Sequence, residues 1–229
     1  MGIAYNTNIV RDGLVFYLDA ANKKSYSGTG NTTTDLINNR SGALTNGASV
    51  SGGAISLDGT NDYVDFASAS TFTTLDLVNK SFQVWIRKTA NGGYGIIDKD
   101  FDAGGSSYGG YGFWIQSNNK LWFWSHANLD LLDDGPNTVT NNVWTNVAVT
   151  YNYSTFTANF YINGVLNSTK SNVSIVEKAS TSANLVVGAF RNGVSTFSGS
   201  IGPVMAYNRV LTVSEIQQNL NSMRGRYNV

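Results

Sequence analysis

The chain has no cysteine in its 229 residues, so it can build neither a disulfide framework nor a cysteine-ligated metal. Its single histidine, His126, cannot complete the usual zinc ligand set alone. A Ser-His-Asp triad would have to recruit it, and one lone histidine does not establish that geometry. His126 reads instead as a polar, strand-end residue beside Trp124. Glutamate is scarce as well, present only as Glu177 and Glu215. Retaining glycosidases need two carboxyls about 5–5.5 Å apart. Glu177 falls in a polar loop candidate and Glu215 at a helix start, and no strand presents aspartates at that spacing, so the chain is expected not to be an enzyme.

Charge is sparse and balanced. Charged residues make up 13%, with 15 Lys+Arg against 15 Asp+Glu. No global field then draws the chain to nucleic acid or to an anionic membrane. No apolar run approaches the roughly 20 residues of a membrane span, so membrane insertion is not expected. The opening Met1-Gly-Ile-Ala-Tyr-Asn-Thr-Asn8 lacks the basic and apolar parts of a secretion signal. Asn6 stands where myristoylation needs Ser or Thr. No linker or shift in composition divides the chain, which predicts a single domain over residues 1–229.

What is present is two-residue alternation from end to end. Strand candidates are Leu14–Asp19, Tyr63–Phe66, the row Phe82, Val84 and Ile86, then Phe113 with Ile115, and Leu121 with Phe123. Val143–Tyr151, Thr157–Ile162, Leu185–Ala189 and Ile201–Tyr207 follow. Asn163-Gly164 marks a type I′ hairpin, since both residues tolerate positive φ. Many short strands with such punctuation favour a sandwich or barrel. Pro203 inside the last strand predicts an edge or a bulge. The stretch Ala21–Gly53, rich in Asn, Gly, Ser and Thr, reads as a wandering connection.

The tail closes differently. Thr212 and Glu215 stand at capping-box spacing. Val213, Ile216, Leu220 and Met223 then form one apolar stripe of a helix over about 212–224. Arg224 in the last turn and Gly225 beyond it suit a helix end.

Two constellations carry possible chemistry. Tyr94, Tyr108, Tyr111, Trp114, Trp122 and Trp124, with His126, surround glycine-rich segments. Trp122 and Trp124 share one strand face, opposite Leu121 and Phe123. Two readings stand. The aromatics fill the core or a subunit contact, or they hold sugar rings by their C–H faces. Asp98, Asp100 and Asp102 alternate like the start of a calcium loop, but Ala103 and Gly109 occupy the positions where an EF-hand needs Gly and Glu. A solvated loop is the plainer reading; a calcium ion held by the three carboxylates is the other. Asp130, Asp133 and Asp134 form a second acidic loop with the same plain reading. Asn-x-Ser/Thr sequons at Asn31, Asn79, Asn152, Asn167 and Asn172 carry little weight in so Asn- and Thr-rich a chain.

Four segments in order resemble the concanavalin A-like lectin/glucanase superfamily in its laminin-G-like jelly-roll branch. They are Gly13–Ala20, Ser56–Val64, Trp144–Tyr151 with Phe160–Val165, and Ile201–Ile216. The resemblance implies an all-β, two-sheet antiparallel jelly-roll sandwich with one short C-terminal α-helix. The opening and closing segments resemble laminin-G-like domains of tailed bacteriophages. That kinship implies a virion protein assembled in the host cytoplasm, decorating the capsid or attached to tail or fibres. Its implied partners are coat or tail proteins, further copies of itself and a host-surface glycan. Relatives often carry Ile-Asp-Glu-Val where this chain has Ile201-Gly-Pro-Val204, which removes the acidic residue that helps hold a structural calcium in that branch. The glucanase branch's Glu-x-Asp-x-x-Glu triplet is absent too.

Overall fold

Strict alternation of side chains resolves into two stacked antiparallel sheets. The structure, a computed structural model, describes residues 8–67, 72, 74–76, 78–100, 110–125, 130–171, 183–190 and 193–228. The first strands are β1 (Leu14–Leu18), β2 (Thr32–Thr34), β3 (Ser41–Thr45), β4 (Ser49–Ser51), β5 (Ala54–Asp58) and β6 (Tyr63–Phe66). The middle of the chain gives β7 (Lys80–Lys88), β8 (Tyr94–Asp100), β9 (Gly110–Ile115), β10 (Leu121–Ser125) and β11 (Asp130–Leu132). Then come β12 (Thr145–Asn152), β13 (Thr157–Ile162), β14 (Val165–Ser171), β15 (Leu185–Val187), β16 (Ser198–Tyr207) and the helix α1 (Val213–Met223).

The first sheet runs β14-β13-β12-β7-β16-β5-β4, with β1 also on β16. The second runs β11-β10-β9-β8-β15-β6-β3-β2. This is the expected jelly-roll sandwich with a short C-terminal helix. One expectation fails: Ala21–Gly53 is not a structureless connection, because β2, β3 and β4 lie within it. Such three- to five-residue strands carry too few alternating apolar residues to stand out from their loops.

The core lies between the sheets. Phe82, Val84 and Ile86 of β7 face Phe113 and Ile115 of β9 and Leu121 and Phe123 of β10. Phe82 stacks on Tyr111 at 5.4 Å, and Phe16, Phe66 and Phe72 meet edge to face. The inward row of β7 begins with Lys80 and ends with Lys88, both buried. Their aliphatic stems extend the apolar row while the ammoniums reach the two ends of the sandwich. The Lys80 ammonium lies 5.0 Å from the Tyr151 ring centroid. A buried Lys99–Asp76 ion pair of 3.0 Å sits in the same interior.

Strand β16 explains Pro203. Its first half pairs with β5 and its second with β1, while β7 runs along its other side with a register shift between Ile201 and Val204. The proline therefore marks a bulge in a central strand, not an edge. Gly202 beside it leaves room for the tail: a Cβ there would lie 2.4 Å from the Tyr227 hydroxyl oxygen. Tyr227 is clasped between Trp85 and Trp144, each ring 4.4 Å away, and Arg226 bonds both oxygens of the buried Asp19.

The helix has the predicted capping box, Thr212 with Glu215. Arg209 adds two bonds to Glu215 at 2.9 and 2.7 Å. Its apolar stripe differs from the sequence reading. Val213 is 46% exposed, and Asn219 takes the centre of the buried face at 0%. Its Oδ1 accepts from the Val10 amide at 2.8 Å, and its Nδ2 donates to Gln83 Oε1 and the Tyr207 hydroxyl. Gln83 in turn donates to Asn146 Oδ1 and the Ile216 carbonyl. Gly225 does not take a left-handed conformation; the helix tightens instead into a 3-10 turn over Arg224–Arg226.

Truncating Asn219→Ala leaves the Val10 amide and Gln83 Oε1 without this partner, each worth about 1–3 kcal/mol, and takes one of its bonds from the Tyr207 hydroxyl. Chemical denaturation should show a loss of ~3 kcal/mol or more. The Arg209 bond, followed by the Thr212 cap, holds the Glu215 carboxyl down to about 2 from 4.5. Its contribution is complete above about 4.5 and fades as pH falls toward 2. A Glu215→Gln variant should therefore be less stable than the parent at neutral pH and converge on it at the acid end of that window.

Candidate functional site

The two sheets close their outer faces in different ways. The first is covered by α1 and the tail. The second is covered largely by its own side chains. On β9 and β10, parity sends Phe113, Ile115, Leu121 and Phe123 inward and Gly112, Trp114, Trp122 and Trp124 outward. Cross-strand register then sets one outward row: Trp124, Gly112, Asp98, Val186, Asp65 and Ala43. Trp114 pairs directly with Trp122.

Glycines make this aromatic layer possible. A Cβ at Gly112 would lie 2.1 Å from Trp124 Nε1, 2.5 Å from Asp98 Oδ2 and 2.6 Å from Trp114 Nε1. A Cβ at Gly95 would strike the Ala189 backbone at 2.3 Å. These two gaps let the Trp114 and Trp124 indoles and the chain at Ala189–Phe190 approach the sheet backbone closely. Phe190 packs edge-on to Trp114 at 4.6 Å and to Trp124 at 6.5 Å. Trp114 donates from Nε1 to Asp98 Oδ2 at 3.0 Å. Trp114 and Trp124 are 5% and 7% exposed, and Trp122 is the partly exposed member.

At the end of this layer, where β9 turns into β10, a pocket of about 270 Å³ opens. Trp114, Trp122, Gly93, Ile115, Gln116 and Ser117 line it. The two indoles stand 5.2 Å apart at 62°, forming an L-shaped apolar wall. Beside it, Gln116 is half-buried and Ser117 exposed. An aromatic wall beside a free amide and hydroxyl can hold a ring by its C–H face and take its hydroxyls at the edge.

The sequence-predicted residues divide sharply. Trp114 and Trp122 line the pocket, and Trp124 lies one step along the same face. Tyr94 and Tyr111 are corrections: both belong to the core between the sheets, and neither lines the pocket. Tyr111 shares the inward parity of Phe113 and Ile115, and burial raises its hydroxyl well above the ordinary tyrosine range. Tyr108, His126, Asp102 and Glu177 lie outside the described residues. Asp98 is no solvated loop residue. It sits fully buried on β8, between Gly112 and Val186.

That position fits calcium poorly, because Asp98 Oδ2 already accepts from an indole. Asp100 ends β8, its side chain outside the described set. Among the described residues no group of three His, Cys, Asp or Glu could hold a metal ion. At Gly202-Pro203, Tyr227 fills the space and no side-chain oxygen of these two residues is offered. The residues missed from sequence are Gly93, Gln116, Ser117 and Phe190. The available signal was the placement of glycines at outward positions between tryptophans.

A two-sheet jelly roll with an aromatic pocket at its loop end defines a concanavalin A-like module. A family model described as the concanavalin A-like lectin/glucanases superfamily, of laminin-G type, matches residues 58–217, and the chain belongs to that superfamily. No curated protein matches it in sequence. Among solved structures it is similar to the Trypanosoma rangeli sialidase in complex with sialic acid, at 17% identity and a TM-score of 0.67. That match covers 95% of this chain but 34% of the sialidase, so the chain spans about a third of its length. Domain 4 of AbnA, a GH43 extracellular arabinanase from Geobacillus stearothermophilus, in complex with arabinotriose, is similar at 16% identity and a TM-score of 0.64. There the match covers 90% of this chain and 98% of that domain. At these identities the likeness is one of fold.

Gly112→Ala should displace both indoles and cost ~1–3 kcal/mol, with an altered near-ultraviolet tryptophan signal. Gly93→Ala meets nothing within 4 Å and should stay within about 0.5 kcal/mol of the parent. Equal stability of the two variants in thermal denaturation would contradict the packing described.

Proposed function

We propose that the chain is a non-enzymatic recognition module that binds carbohydrate in the Trp114–Trp122 pocket. The observation that carries this reading is the indole pair set beside the free amide of Gln116 and hydroxyl of Ser117. The fold neighbours support it to the extent that one of them is a domain in complex with arabinotriose. Two further features support a role without catalysis. Glu215 is committed to the helix cap. Asp98, the carboxylate nearest the indoles, is sealed from solvent and engaged by Trp114.

The setting we propose is a bacteriophage particle, with the module on capsid, tail or fibres, beside coat or tail proteins, contacting host-surface glycans. Its support is the resemblance of the opening Gly13–Ala20 and of the closing helix to phage laminin-G-like domains. Homo-oligomerisation suits such a setting, since repeated copies turn weak sugar contacts into avidity.

A glycan array with purified protein tests the binding claim. Trp122→Ala and Gln116→Ala should keep the parent's unfolding midpoint and lose at least ~tenfold in retention, about 1.4 kcal/mol. Retention unchanged in both variants, or no retention of any glycan by a multivalent form of the parent, would sink the reading. Hydrolysis of a retained glycan would overturn its non-enzymatic part.

A further inference from the structure

Lys88 is fully buried at the end of the inward row of β7, yet no carboxylate bonds its ammonium among the described residues. Four neutral oxygens do. Asn119 Oδ1 lies at 2.8 Å, Asn91 Oδ1 and the Ala90 carbonyl at 3.4 Å, and Asn141 Oδ1 closes the set. These oxygens come from three separate loops, 89–93, 116–120 and 139–142. The loops are also stitched to one another. Asn141 Nδ2 donates to Asn91 Oδ1 at 2.9 Å, the Val139 amide to the Asn119 carbonyl at 3.0 Å, and the Asn142 amide to the Lys88 carbonyl at 2.7 Å. A cage of neutral oxygens converging from several loops is the arrangement that binds a bare cation in many loop-built sites. Here the cation is covalently attached.

The first two of these loops supply the pocket, through Gly93 from one and Gln116 and Ser117 from the other. We infer that Lys88 is the positioning residue of the Trp114–Trp122 pocket and that, with its ammonium spent on asparagine oxygens, the pocket takes neutral saccharides in preference to anionic ones. The inference rests on the carbohydrate reading for its second half and on geometry alone for its first. Lys120, the lysine of the 116–120 turn, is committed in the same way, to the carbonyls of Gly135 and Asn137. No charged side chain lines the pocket among the described residues. A sialic or uronic acid carboxylate would find no cation to replace its lost water, whereas the hydroxyls of a neutral sugar match Gln116 and Ser117. The loops need no external metal, since the ammonium already fills the position that a metal would take.

The test combines hydrogen exchange with binding. In Lys88→Met the stem volume is kept and the donors are lost, so amides of 89–93 and 116–120 should exchange at least tenfold faster while sheet amides keep their protection. Asn119→Gly is the second variant, for use if Lys88→Met does not fold. It removes one cage oxygen at a residue whose φ of 66° suits glycine, and it should loosen 116–120 in the same direction. Unchanged exchange in those loops, in a folded variant, would overturn the positioning role whatever the glycan result. Neutral oligosaccharides should be retained at least tenfold better than sialylated or uronic acid-bearing ones, and a chelator should leave both retention and loop exchange unchanged. Preference for the anionic set, or loss of loop protection on chelation, would overturn the inference. Faster loop exchange in a protein that retains no sugar at all would uphold the Lys88 role and remove the carbohydrate reading alone.

Discussion

The pleat of a β-strand sends successive side chains to opposite faces, so a sheet packed on a core still has a second face to cover. Every notable feature of this molecule answers that constraint. Strands β7, β12 and β16 are buried on both faces. Their outward residues, Gln83, Trp85, Asn146 and Met205, are therefore sealed under the helix and tail. The seal is partly polar. Asn219 bonds Gln83, Tyr207 and the Val10 amide, and Tyr207 donates to the Val10 carbonyl, so burying them leaves none of these groups unpaired. A buried polar network of this kind fixes the register of the helix more tightly than an apolar stripe would.

The second sheet answers the constraint differently. No helix covers its outer face among the described residues. Trp114, Trp122, Trp124 and Phe190 cover much of it, laid into the gaps at Gly95 and Gly112. The aromatic layer seals Asp98 beneath it, and at its end one indole edge and a polar turn are left open. The recognition site we propose is thus a by-product of covering a sheet with its own side chains. The Lys88 ammonium belongs to the same logic, since the inward row of β7 runs out at the loop end and its last member anchors those loops.

Much of this was legible in the sequence, and the rest was hidden for definite reasons. Alternation located β6 and β13 to the residue. Asn163-Gly164 is left-handed at both positions, with φ of 49° and 73°, and the Thr212–Glu215 box is present as read. These signals are local. The strands β2, β3 and β4 were missed because they carry too few alternating apolar residues to show a pattern. Val213 and Asn219 exchanged the roles that hydropathy assigns them, because the Val10 amide and Gln83 Oε1 need partners beneath the helix, and only the fold reveals them. Tyr111 could have been placed in the core by parity with Phe113. Parity with Phe82, Val84 and Ile86 likewise turns Lys88 inward, but the roles of Gln116, Phe190 and the Lys88 ammonium depend on which loops meet at one end of the sandwich.

The central claim, that the open end of the aromatic layer is the ligand site, is met most directly by the indole resonances. The chain has five tryptophans, and each gives one Nε1–H signal, assignable by substitution. During titration with a neutral oligosaccharide retained on the array, the signals of Trp122 and Trp114 should move together in a saturable way. Those of Trp85 and Trp144, which clasp Tyr227 on the opposite sheet, should stay fixed. Saturable movement of Trp85 or Trp144 with Trp114 and Trp122 unmoved would contradict the account.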